Sequence, residues 1–180
     1  MGQEELAGIT ESVRTLALKV IQGEISRDTA MASAKNLVHA EAHVSAIVEE
    51  ARSVTYAQPE LALTLVRIGY EAARFRDSVL GTALCAFEMG TIHKARGQYQ
   101  EALDRYTESL TTFQVLEHHE NVCAALTQIG ALYIHLGQYP RARDYLEHGL
   151  EISRQRGYRK QEGVQLGNLG IAFLLERFPI

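Results

Sequence analysis

The sequence has little of what staples, breaks or anchors a chain. Its 180 residues include two cysteines, three prolines and no tryptophan. Two cysteines cannot make a disulfide framework. Cys85 and Cys123 both fall in apolar, helix-like stretches, where a reduced thiol acts as a small core hydrophobe. Proline breaks helix interiors, so its scarcity leaves room for long helices. No run of 18 apolar residues occurs, so no membrane-spanning helix is expected. Met1 to Thr10 is polar and acidic, unlike a secretory signal, and the expected compartment is the cytoplasm. The formal net charge is −4. A nucleic-acid partner is not expected, because displacing counterions from phosphates takes an excess of basic residues.

Catalytic motifs are missing as well. There is no glycine-rich phosphate loop and no Gly-x-Ser-x-Gly turn. The carboxylates are scattered as solvating charge. His39 and His43 are four apart, as metal ligands on one helix face are. However, residue 40 is alanine where a zinc protease needs glutamate, and no third ligand lies nearby, so an exposed helix surface is the expectation. His118 and His119, between Glu117 and Glu120, read as a solvated loop. Arg154, Arg156, Arg159 and Lys160 read as favourable charge near a helix C-terminus. No catalytic residue, metal or cofactor is expected.

What the sequence does contain is a repeat. Ala86 to His93, Leu126 to Tyr133 and Leu166 to Phe173 align with their glycines at Gly90, Gly130 and Gly170, forty residues apart. Gly97-Gln98-Tyr99 recurs as Gly137-Gln138-Tyr139. Ala62, Ala102 and Ala142 share the period, as do Val66, Tyr106 and Leu146. Each unit reads as two helices. Leu126, Ile129, Gly130 and Tyr133 follow the i, i+3, i+4, i+7 spacing of one face. Tyr99, Ala102, Leu103, Tyr106, Leu110 and Phe113 form a second stripe. The spacing predicts first (A) helices over roughly 83–96 and 123–136, and second (B) helices over roughly 99–115 and 139–155. A mid-helix glycine costs about 1 kcal/mol relative to alanine. Three at one period point to close approach of helix A to helix B, with Ala102 or Ala142 opposite. His93 holds the slot of Tyr133 and Phe173 and is expected in the core.

The ends are less regular. Over 43–82, Pro59 opens a B helix well, but Glu50 holds the glycine slot. Residues 1–42 read as two more helices, roughly 3–22 and 27–41, a degenerate capping pair of the kind terminal repeats provide. The helix from Val164 to Phe178 points apolar residues in several directions, so it wants covering on most sides. The small residue opposite Gly170 would fall at about position 182, and the sequence stops at Ile180. Either the chain is a piece of a longer protein, or a second copy, an attached domain or a partner covers Leu174, Leu175 and Phe178.

Leu126, Ile129-Gly130, Tyr133, Ala142 and Leu146 resemble the tetratricopeptide repeat, whose usual period is about 34. The longer unit here looks like the repeats of bacterial regulators and kinesin light chains. Arg76 to Val79, Glu117 to Asn121 and Gly157 to Glu162 serve as polar inter-repeat loops. The resemblance implies an all-α, right-handed α-solenoid of antiparallel helix pairs, about nine helices in all. Its units span about 43–82, 83–122 and 123–162, with a half unit at 163–180. It also implies a protein- or peptide-binding scaffold with the A helices lining a concave groove. The alternative is a regulatory or sensor module of a larger signalling protein, whose C-terminal helix docks on another domain or subunit. The implied groove residues are Leu84, Phe87, Glu88 and Thr91, then Ala124, Thr127, Gln128, Ala131 and His135, then Gly167, Asn168 and Ile171. Glu88, Gln128 and Asn168 form one column of hydrogen-bonding side chains suited to an extended peptide backbone.

Overall fold

The computed structural model describes residues 2–38 and 41–178, and among these the chain is all-α. Nine helices run α1 (Gln3–Ile21), α2 (Arg27–Leu37), α3 (Glu41–Val54), α4 (Pro59–Phe75), α5 (Val79–Ala95), α6 (Tyr99–Val115), α7 (His119–His135), α8 (Tyr139–Arg156) and α9 (Arg159–Arg177). They fall into two compact units, Met1–Arg105 and Tyr106–Ile180, with the boundary inside α6.

The forty-residue repeat conceals a half-period of twenty. From α4 onward the helices open at Pro59, Val79, Tyr99, His119, Tyr139 and Arg159. Between them Asp77, Gly97, Glu117, Gly137 and Gly157 adopt left-handed backbone, with φ between 53° and 75°. The residue after each donates its N–H five residues back: Ser78 to Ala73 O, Gln98 to His93 O, His118 to Phe113 O, Gln138 to Tyr133 O and Tyr158 to Ser153 O, all at 2.8–2.9 Å. The left-handed residue itself donates three residues back, as Gly97 does to Lys94 O at 3.0 Å. This pairing satisfies the last carbonyls of each helix, and glycine suits it because a Cβ is disfavoured at positive φ.

The turns are therefore short, and the polar stretches expected as loops are mostly helix. α5, α7 and α9 begin about four residues earlier than apolar periodicity suggests. A helix's first N–H groups lack intrahelical partners and its N-terminus favours negative charge, so a polar first turn is compatible with helix. Glu120 and Glu162 sit in the first turns of α7 and α9. Ser78 caps α5 by accepting from the Gly81 N–H at 3.1 Å.

Within unit 1, α3 packs on α4, α4 on α5 and α3 on α5, while α1 lies against α3 and α4, and α2 against α4. Within unit 2, α7 packs on α8, α8 on α9 and α7 on α9. Neighbours pack consecutively, and alternate helices touch, as stacked helix pairs require. Ala62, Ala102, Ala142, Val66, Tyr106 and Leu146 are all fully buried. At Gly130 a Cβ would stand 2.6 Å from Leu146 Cγ and 3.2 Å from the Ala142 carbonyl oxygen. The expected glycine-to-helix-B contact is therefore present between α7 and α8.

A second small-residue register also exists: Gly69, Ser109 and Gly149, again forty apart. Gly69 on α4 is closed by Cys85 Sγ and Ile47, each 3.3 Å from a built Cβ, and Gly149 on α8 by Gln165 Nε2 at 2.6 Å. Cys85 and Cys123 are buried free thiols.

Candidate partner-binding face

In unit 1 the A-type helices α1, α3 and α5 are cross-linked by charge. Arg14 of α1 pairs with Glu50 of α3. Arg52 of α3 bonds Glu49 at 2.8 Å and reaches Glu88 of α5 through Nη2 at 3.2 Å and Nε at 3.3 Å. Both inter-helix links join residues 36 apart, one helical turn short of the repeat. Glu50, out of place in a glycine slot, is thus held by a partner on the neighbouring helix.

Glu88 is consequently not an open groove position. Its side chain is 1 % exposed, one carboxylate oxygen meets Arg52, and the other has no hydrogen-bond partner among the described residues. Burial pushes its carboxyl above the usual carboxylate range, and Arg52 pulls the other way. Leu84, Phe87 and Thr91 on the same helix are half-buried. Beside this ladder an open cleft of about 500 Å³ lies between α1 and α3, lined by Leu6, Thr10, Glu11, Arg14, Glu49 and Glu50 among others. The cleft was not anticipated from motif positions; its only sequence signal is the spacing that pairs Arg14 with Glu50.

In unit 2, Gln128 of α7 and Asn168 of α9 are half-buried. Ala124 and Ala131 are half-buried, and His135, Gly167 and Ile171 are exposed. Thr127 departs from the expected groove: it is buried, donates to the Cys123 carbonyl at 2.7 Å and accepts from Gln165 Nε2 at 3.1 Å. A β-hydroxyl in mid-helix commonly turns back on the preceding turn in this way. Gln165 is fully buried and fills the notch at Gly149. Two expected groove positions, Glu88 and Thr127, are therefore internal, because helical spacing identifies a face without showing how far a neighbouring side chain reaches.

The far edge of α9 is apolar and uncovered in unit 2. Ile171, Phe173, Leu174 and Phe178 are 47–64 % exposed, and Leu175 is half-buried rather than open. A Cβ at Gly170 would meet nothing within 4 Å.

The histidines divide. His43 is buried, not on an exposed surface as expected, and His39 lies outside the described residues. His93 is buried, with Nδ1 2.9 Å from Gln98 Oε1, in the core slot expected of it. His118 is exposed, whereas His119 opens α7 and stands 2.6 Å from Arg156 Nη2. Arg154 and Arg159 both bond Glu162, at 3.0 and 3.2 Å, and these bonds hold its carboxyl below the usual range. Among the described residues no three His, Cys, Asp or Glu side chains gather as metal ligands.

Residues 81–155, which include the α7 glycine pressed onto Leu146 and Ala142, match the tetratricopeptide repeat family. These residues are tetratricopeptide repeats. A comparison with curated proteins gives no match. Tetratricopeptide repeats generally mediate protein–protein interaction. In this array the helices are 17–19 residues long from α4 onward, so the residues beyond the usual period lengthen helices, not loops. No helix among the described residues is long and apolar enough to cross a membrane.

Proposed function

We propose that the chain is a non-catalytic protein- or peptide-binding array that engages its partner on the A-helix faces. The observation that carries this reading is the pair Gln128 and Asn168. They occupy one register on α7 and α9, and both side chains remain partly accessible beside exposed His135 and Ile171. Amide side chains both donate and accept, which suits the alternating groups of an extended backbone. In unit 1 Glu49 and Glu50 of the cleft are paired with Arg52 and Arg14, which leaves Glu11 as its unbalanced charge, and this favours a partner segment bearing lysine or arginine. The test is a pull-down with the intact chain and with Gln128→Ala/Asn168→Ala. Recovery of the captured partner is expected to fall roughly tenfold, about 1.4 kcal/mol of lost binding. Unchanged recovery removes this face from the reading.

A second reading, a regulatory module docked through α9, is favoured by the open Gly170 beside exposed Phe173, Leu174 and Phe178. Large contiguous apolar surface marks an interaction site. Light scattering at rising concentration tests the self-associating form: wild type should gain mass and Leu174→Glu/Phe178→Glu should not. A wild type that stays monomeric throughout argues against self-association.

A further inference from the structure

Unit 1 carries a second charged surface that the A-helix face does not use. Arg27 of α2, Arg67 of α4 and Arg105 of α6 converge on two adjoining clefts that share Arg67 and Met31. The larger, about 170 Å³, is lined by Met31, Arg67, Tyr70, Glu71, Met89 and Arg105. Of the nearby carboxylates, Glu60 bonds Arg96 at 2.9 Å, and Glu71, which lines the cleft, lies 3.8 Å from Arg74. Arg67 makes no hydrogen bond or ion pair among the described residues. Burial, then the like charges of Arg27 and Arg105, depress its pKa, while Glu60 pulls the other way. A half-buried guanidinium with five N–H donors, like-charged neighbours and no hydrogen-bond acceptor among the described residues is short of an anion. This positive charge is local, because the chain as a whole carries −4.

Two features of the cleft choose among anions. Met31 and Met89 give it an apolar wall, which suits the methylenes of a glutamate better than a bare inorganic ion. The Tyr70 ring is already faced by Arg74 at 6.0 Å and Arg105 at 5.9 Å, so it offers no platform for nucleobase stacking. We propose that this cleft binds an acidic peptide segment, with a glutamate carboxylate held by Arg67 and its stem against Met31 and Met89. A guanidinium fork recognises a carboxylate through paired, charge-assisted hydrogen bonds.

The experiment uses the intact chain and a fluorescein-labelled octaglutamate peptide, read by anisotropy. An octaglutamine peptide, inorganic phosphate and an oligouridine serve as comparison ligands. Arg67→Met, which keeps the stem and removes the charge, is expected to weaken octaglutamate binding by roughly tenfold or more and to flatten its salt dependence. Arg159→Met, in unit 2, should bind as wild type does. Arg27→Met lies at an exposed position and tests the same cleft with little disturbance of packing; about a threefold loss is expected. The proposal is overturned if octaglutamate fails to bind, or binds Arg67→Met and Arg27→Met as tightly as wild type. It is equally overturned if phosphate alone binds, or if oligouridine binds as tightly with the same dependence on Arg67.

Discussion

Gly130 and Gly170 hold the same place in successive repeats and meet opposite surroundings. Gly130 is pressed against Leu146 and the Ala142 carbonyl of α8, whereas Gly170 faces open space. The residue type is set by the motif, but the need for it is set by the helix lying across it. Where α8 covers α7, absence of a Cβ is what lets the backbones approach. On α9 the same absence only lowers helix propensity. One motif position is therefore a packing requirement in one unit and a dispensable cost in the next.

Three substitutions in order of size put that difference to the test by thermal or urea unfolding. The largest effect is expected at Gly130→Leu, where Leu146 and the α8 backbone must give way: a loss of about 3 kcal/mol, with Gly130→Ala costing about half as much. An unchanged melting temperature for the leucine variant would break the comparison at its covered end. Gly149→Ala comes next. It displaces Gln165 Nε2 from 2.6 Å and weakens the Gln165–Thr127 bond, a cost of about 1 kcal/mol. If Thr127→Val lowers the cost of Gly149→Ala in a double-mutant cycle, the two sites are coupled through Gln165. The smallest effect carries the opposite sign: Gly170→Ala should stabilise by up to about 1 kcal/mol, because alanine favours helix and nothing stands in its way. Destabilisation there would mean that something covers α9 in solution.

The covered register was legible in the sequence because glycine and alanine at a fixed period leave few alternatives to close helix contact. The register of Gly69, Ser109 and Gly149 had the same period, yet serine in its middle disguised it among polar B-helix residues. Helix starts were harder to read. A polar first turn such as His119-Glu120-Asn121 looks like a loop until its N–H groups are seen to need no apolar partner. The candidate face was legible by side and not by depth. Gln128 and Asn168 stand where periodicity puts them. Glu88 is drawn inward by Arg52, and Thr127 by its own helix and Gln165. Those outcomes depend on the reach of side chains 36 to 38 residues away, which a repeat of forty does not display. The arginine cleft depends likewise on Arg27, Arg67 and Arg105, whose spacings of 40 and 38 place them on three B-type helices without marking them as a motif.

The evenly spaced left-handed turns also make this chain's length come in fixed steps. Asp77, Gly97, Glu117, Gly137 and Gly157 reverse the chain every twenty residues with the same hydrogen-bonded closure. Copying residues 79–118 in tandem would hand each new A helix a B helix to lie on, so the array lengthens with its faces in phase. Copying twenty residues alone would set two helices of one kind side by side, small residues against small residues, with no large side chain to fill the gap. The unit of growth is the pair, although the unit of geometry is the single helix and its turn.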